Sequence, residues 1–523
     1  MTAPEEHYDE LMALPGIGGL AAADALQRIG LLVDLADDLG REEGAVRALE
    51  WCDALERQHM EDADGALLEY FRANAWAARQ HVRHRDRSAA WAWEQPELRK
   101  QVYQLRRAAS HAGFAKLSAL RQCQVFTNLG NQLNTVGRFV EALEYWGRAL
   151  DVAPTFAMAH GNRGHSLAYY ARALYDGGHR ALFIRFAHDE FCAALSPDAI
   201  YDRPDAGSIM SDFEARRVSL EKMLGPERLA QPLELDHYDL GGSDEERSYR
   251  RWCLAEKLFL NPLNDLGRDN IAARDVLTLP DFVTAVDEPP SLIGLFNQMK
   301  QEYASARWHY YEGTNSEDVH FSDHGVLLYN TLDYPTYSLA IEKVKAAYRA
   351  AYSLFDKIAF FLDSYMKLGM QPQQVSFRRV WHGKKDAAGK RTIRGEFECL
   401  ENWPLRGLFW LSKDLFEEEF PDVMDPDAQA LHEIRNRLEH RYLKVHDMLF
   451  EALPESAPWN DRLAYSIARP DFEAKTLRLL KLARAALIYV SLGMHAEERR
   501  RHKAGGGLVM PMHLDTLDDD WKR

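Results

Sequence analysis

The sequence predicts an all-α protein, an N-terminal array of helical hairpins followed by a helical bundle. Three observations point to it. Apolar residues recur at steps of three and four along most of the chain, the period of one helix face. Few stretches of the first 120 residues alternate with period two, so strands are not expected there. Gly164 and Leu167 follow Gly130 and Leu133 at a spacing of 34 residues, the mark of stacked helical units.

Residues 1–120 read as successive amphipathic helices over 22–40, 44–58, 65–80 and 96–114, joined by short breaks. The pairing suggests hairpins that stack. The clearest unit covers 123–156, with Phe126, Leu129, Gly130, Leu133, Ala142, Trp146, Ala149 and Pro154 at the diagnostic places. This pattern resembles a tetratricopeptide (TPR) repeat. Gly130 and Ala142 would let two helices approach closely, while Phe126 and Trp146 fill the space between them. Gly164 opens a second unit, whose Ala187, Phe191, Ala194 and Pro197 arrive about eleven residues late, so it carries an insertion. The stretch AVRALEWCDAL near residue 50 resembles half of a degenerate earlier unit. The expected repeats are 121–197, and such arrays present a concave face to a regulatory protein or peptide. The alternative is a stack that only scaffolds the C-terminal domain.

Residues 198–288 read as a connecting region. Its Asn261, Asn264 and Asp265 are taken as turn chemistry rather than as a site. Residues 289–498 form the second helical block. A helix over 291–312 precedes a loop bearing His320, Asp323 and His324, read as polar rather than metal-binding. The longest helix follows, with an apolar stripe from Leu339 through Leu354 to Tyr365 and an end at Gly369. Then come PLRGLFWLSKDLFEE, a helix from about Asp427, and a final helix over 475–494. The helix from Asp427 is expected to run through 447, with Leu431, Ile434, Leu438, Val445 and Leu449 on one stripe. Residues 499–523 read as a tail with a hinge at Gly505, Gly506 and Gly507.

The net charge of −16 argues against a chain that grips nucleic acid over its whole surface. One run departs from that balance. Within the insertion 371–397, Arg378, Arg379, Lys384, Lys385, Lys390, Arg391 and Arg394 stand against Asp386 alone, with Trp381 interleaved. Cations beside stacking rings suit an RNA backbone and unpaired bases. The plain alternative is a solvated hairpin balancing acidic surface. The five cysteines are scattered and fit neither a disulfide framework nor zinc spacing, which points to a reducing cytoplasm. No leader peptide and no membrane-spanning run are expected.

The functional signal is Arg435-Asn436-Arg437-Leu438-Glu439-His440. Arg followed five positions later by His occurs four times, at 79/84, 106/111, 435/440 and 441/446, so the spacing alone proves nothing. The 435/440 copy differs in its setting, since Asn436 follows the Arg and the segment is amphipathic. It resembles the signature of the HEPN superfamily of helical ribonucleases (higher eukaryotes and prokaryotes nucleotide-binding), which prefers Asn, Asp or His after the Arg. Four to five antiparallel helices with the motif on the penultimate one are similar to that family's bundle.

The resemblance implies a metal-independent endoribonuclease that uses the RNA 2′-OH, with no cofactor and no metal. His440 would be the general base or acid, since a histidine titrates near neutrality. Arg435 would clamp the phosphate and Asn436 would orient one of them. Arg437 would add to RNA binding. Asn436 and His440 share a face, as does His432 one turn earlier, whereas Arg435 lies about 140° from His440. In the family the motif helices of two protomers form one composite site, which implies a homodimer. Such domains fused to helical repeats occur in bacterial toxin and phage-defence proteins, which implies tRNA or ribosomal RNA as substrate. The alternative from another class is a non-catalytic TPR/HEPN scaffold that binds a protein or RNA. His432-Glu433 opens a helical H-E-x-x-H zinc pattern, but Asn436 stands where the second His is needed.

Overall fold

The computed structural model describes residues 3–522 except 59, 84–90, 203–204, 286, 317, 386–388, 390, 448–460, 462 and 505–508. Lys390, Leu449, His84 and the Gly505–Gly507 hinge therefore lie outside the described residues. The array comprises α1 (Ala3–Ala13), α2 (Ala22–Leu39), α3 (Glu42–Glu56), α4 (Asp62–Arg83), α5 (Pro96–Ser110), α6 (Ala119–Thr135), α7 (Phe139–Val152), α8 (Ala157–Ala173), α9 (Gly177–Ala194) and α10 (Gly207–Leu224). Two shorter helices, α11 (Pro226–Ala230) and α12 (Asp244–Ala255), lead to the second block. That block comprises α13 (Ser291–Thr314), α14 (Leu339–Met366), α15 (Gly395–Glu398), α16 (Trp403–Ser412), α17 (Ala428–His440) and α18 (Arg469–Ala504).

Local chemistry sets many of the boundaries. Gly40, in the left-handed region at φ 64°, closes α2 by donating its N–H to Asp37. Ser118 and Ser338 cap α6 and α14 by accepting from Arg121 N and Ile341 N. Asn402 does the same for Leu405 N at the start of α16. The end of α14 differs from expectation. Lys367 takes the left-handed conformation at φ 55°, and Leu368 N bonds back to Asp363 O, two residues before Gly369.

In the hairpins, the indole of Trp146 lies over Gly130, where a Cβ would sit 2.7 Å from its Nε1. That Nε1 donates to Asn131 Oδ1 at 3.1 Å. Gly164 takes the matching place against Ala187 and Phe191 of α9. Asn261 and Asn264 form the expected turns, with Asn264 Oδ1 accepting from Phe259 N and its amide donating to Leu254 O and Gly267 O. Asp265 adds a buried ion pair to Arg484 of α18 at 2.6 Å.

One apolar core runs without a break from α4 to α18, and a smaller one joins α1–α4. The seam between array and bundle is close. The turn after α6 holds Gly137 at φ 88°, and its carbonyl would lie 2.1 Å from a Cβ on Gly407 of α16. Trp403 donates to Asn134 O at 3.0 Å and stacks on Phe139 with centroids 4.3 Å apart. Beneath this seam Asp414 is fully buried between Arg106 at 2.6 Å and Arg138 at 2.7 Å. Arg106 also donates to Met424 O, and Arg478 pairs with Asp425. These bonds fix the loop that leads into α17.

The described residues also include two small strand pairs. β1 (His382–Lys385) and β2 (Arg391–Ile393) are antiparallel. β3 (Tyr442–His446) and β4 (Ala464–Ala468) are parallel, in register from Tyr442 with Ala464 to His446 with Ala468. The second pair corrects the expected helix over 431–447. Helix α17 ends at His440, Arg441 leaves with φ −142° and ψ −136°, and Val445 is buried on a strand. The partner strand lies 22 residues on in sequence, beyond the reach of a local period.

Candidate functional site

Helix α17 buries Leu431, Ile434 and Leu438. Helix α14 grips its backbone from the other side of the core. Tyr348 Oη donates to Leu431 O at 2.6 Å, and Arg349 donates to Leu438 O at 2.9 Å. The second bond satisfies one of the carbonyls a helix leaves open in its last turn. His432, Asn436 and His440 lie off this buried stripe, and Arg435 borders it on the side of α14.

Three of these side chains form a chain of contacts. Arg435 Nη1 donates to Asn436 Oδ1 at 3.2 Å, and the Asn436 amide faces His432 Nε2 at 2.9 Å. With its oxygen turned to Arg435, Asn436 offers an N–H to the imidazole. His432 Nε2 is then the acceptor, and the ring proton sits on Nδ1. Phe416 meets the same ring edge-on at 5.3 Å. Burial and then the Arg435 charge lower the His432 pKa, against the pull of Glu433, Glu417 and Glu418. The Arg435 guanidinium lies 5.8 Å from the Tyr352 ring centroid. Burial raises the nearby Asp356 carboxyl, an effect that Arg435 opposes and Glu417 reinforces.

His440 is exposed at the last position of α17, one turn beyond Asn436. A single copy thus joins Arg435, Asn436 and His432, while His440 stands apart from them. Arg437 is held by Glu433 at 2.6 Å and by Leu463 O at 3.0 Å. Spacing of four residues makes the link from His432 to Asn436 visible in sequence. Tyr352 and Asp356 gave no such signal, since they reach the motif only through the packing of α14 on α17.

The basic insertion divides. Arg378 and Trp381 are buried, which corrects their expected place on an RNA surface. Arg378 pairs with Asp422 at 3.1 Å and lies against the Phe420 ring. Trp381 belongs to an aromatic cluster with Trp93, Phe397 and Phe409. The run alternates cations with rings because it folds partly inward. Arg379, Arg391 and Lys385 converge on Glu419 at 3.0, 3.0 and 3.1 Å. Against burial, the bonds from Arg391 and Lys385 bring the Glu419 carboxyl down to about 2. Arg394 donates to Val380 O at 3.0 Å, and Lys384 is exposed.

Asp323 Oδ2 accepts from Leu339 N at 2.9 Å, and His320 contacts Ser322 at 2.7 Å. Among the described residues no group of three His, Cys, Asp or Glu side chains is placed to hold a metal ion. No helix among them is long and apolar enough to cross a membrane.

Residues 283–497 match the family described as LA2681-like HEPN. This stretch carries a HEPN domain. The match spans α13 to α18 apart from the last residues of α18, and includes the whole of α17. No curated protein and no solved structure matches the chain. The HEPN domain thus coincides with the second helical block, and the hairpin array packs on its α16 and α18.

Proposed function

We propose that this protein is a metal-independent endoribonuclease of the toxin or phage-defence kind, with tRNA or ribosomal RNA as substrate. The observation that supports the reading is the Arg435-Asn436-x3-His440 face of α17, inside a stretch that matches a HEPN family. In the reaction proposed, His440 removes the proton of a 2′-OH, and that oxygen attacks the adjacent phosphorus. The bond from phosphorus to the 5′-oxygen breaks. The leaving oxygen takes a proton, and the products are a 2′,3′-cyclic phosphate and a 5′-hydroxyl. Arg435, oriented by Asn436, offsets charge on the phosphoryl oxygens. Since His440 stands apart from Arg435 in one copy, we place the working site between two copies. We assign RNA guidance to the outer cations, Arg379, Lys384, Lys385 and Arg391, and regulation to the array as a TPR-like surface.

The tethering of three of those cations to Glu419 favours the second reading, a HEPN scaffold without catalysis. One experiment separates the two. Purified protein is incubated with total tRNA and ribosomal RNA in EDTA, alongside His440→Ala. The nuclease reading expects cyclic phosphate ends from wild type and a loss of about 10²–10⁴-fold in the variant. Equal cleavage by both would discard His440, and no cleavage by wild type would favour the scaffold.

A further inference from the structure

We propose that Lys257 and Arg163 hold the phosphate group of a small phosphorylated molecule where the array meets α18. The site is independent of the ribonuclease reading. Lys257 follows α12 in a place that suits glycine. Its N–H donates to Leu254 O at 3.2 Å, and Leu258 N reaches back to Cys253 O at 2.8 Å. This closure sets Lys257 in the left-handed region at φ 57°, where a side chain is disfavoured. Lys367 ends α14 in the same way, but it is exposed. The backbone alone therefore marks no site, and Lys257 differs in its surroundings.

Half-buried, Lys257 feels charges from three helices and a turn: Glu144 of α7, Arg163 of α8, Arg484 of α18 and Asp265. Both carboxylates are already engaged. Asp265 pairs with Arg484 at 2.6 Å, and Glu144 with Arg148 at 2.7 Å. Lys257 itself forms no ion pair or side-chain hydrogen bond among the described residues. Arg163 pairs with Glu190 at 3.3 Å and donates to Leu266 O at 3.2 Å. Burial and then the Arg163 charge push the Lys257 amine down to about 8, against the pull of Asp265 and Glu144. Two cations thus repel one another and share no carboxylate.

An oxyanion accepting from the free amine would offset both charges. A phosphate monoester suits the place better than a carboxylate, since it carries about −1.5 to −2 charge at pH 7 and more acceptor oxygens. Glu190 beside Arg163, with Glu144 and Glu256 joined through Lys481, disfavours a polyanion such as RNA and leaves room for one compact group. Arg163 belongs to the array. Lys257 leads into a segment that Arg484 of α18 grips through Phe259 O and Asn261 O. A bound phosphate would fasten the array to that segment.

The test is thermal unfolding of the full chain in inorganic phosphate against chloride at equal pH and ionic strength. Wild type is expected to melt a few degrees higher in phosphate, as binding to the folded state requires. Lys257→Gly relieves both the backbone and the repulsion from Arg163. It should melt above wild type in chloride and lose the gain from phosphate. Lys367→Gly should keep that gain. Stabilisation by exclusion of phosphate from the surface would be shared by all three proteins, so an equal gain in each overturns the proposal. So does a wild type indifferent to phosphate, or a Lys257→Gly that melts lower in chloride. As a second measurement, pyridoxal phosphate followed by borohydride should label Lys257, and excess inorganic phosphate should suppress the label in peptide mass spectra. Labelling that phosphate leaves unchanged would place the amine outside any phosphate site.

Discussion

Between Arg435 and His432, the Asn436 amide has one orientation that satisfies both neighbours. Its oxygen accepts from the guanidinium, and its N–H meets the imidazole lone pair. Protonating His432 puts a donor on Nε2 and sets two donors face to face. Asn436 must then rotate and turn its own amide N–H groups toward Arg435, which releases the guanidinium. His432 is in this sense a positioning residue for Arg435. Because its pKa is lowered from 6.5, the neutral form is favoured in the fold. Its contribution to stability is complete above 6.5 and is lost as pH falls from there to the lowered native value. Activity is expected to fall as pH passes down through the lowered native value, where His432 of the folded protein takes its proton. His432→Gln, which presents an oxygen to Asn436, should retain cleavage and remove the part of the acid limb that His432 sets. His432→Leu should lose roughly 10- to 100-fold. The pH–rate profiles of the three proteins decide the matter, and an unchanged acid limb in His432→Gln would dismiss the relay.

At the scale of elements, a close backbone crossing joins α6–α7 to α16. Gly407 has no room for a side chain, since a Cβ would meet the Gly137 carbonyl at 2.1 Å and its carbon at 2.6 Å. Gly407→Ala is expected to cost about 1–3 kcal/mol, as an added methyl does in a packed interior. Thermal unfolding would register it, and a variant as stable as wild type would mean that this crossing is loose. Many helices were legible because each carries its own apolar period, as α14 does from Leu339 to Tyr365. The insert of Trp146 over Gly130 was legible for the same reason. What local sequence concealed was pairing at a distance. Tyr442–His446 continues the apolar spacing of α17 closely enough to read as helix, and only its bonds to Ala464–Ala468 make it a strand. Arg378 and Trp381 read as a basic, aromatic surface, yet Asp422 and Trp93, remote in sequence, draw them inside.

For the whole molecule, the decisive joint is the carboxylate of Asp414. It lies between an arginine of α5 and one of the α6–α7 turn, and Arg106 continues to Met424 O at the entry to α17. A movement of the array therefore reaches the motif helix through charge as well as through packing. Burial would raise the Asp414 carboxyl, but Arg106 and Arg138 hold it far below the ordinary carboxylate range. The stability it contributes is present above the unfolded value of 3.8 and disappears as pH falls to the depressed native one. Asp414→Asn keeps the shape and removes the carboxylate that two buried guanidinium groups share, leaving Arg138 only Glu141 and Arg106 only the more distant Asp425, a loss of up to about 3–5 kcal/mol. The deficit relative to wild type should persist down to about pH 4 and narrow below it, as Asp414 itself becomes protonated. Hydrogen exchange separates coupling from plain weakening. If the array steers the motif helix, amides of residues 424–432 should exchange faster together with those of α5 and α7, while α13 stays protected. Uniform loss of protection across α13, α14 and α17 would make Asp414 a stabilising joint with no directed effect on the site.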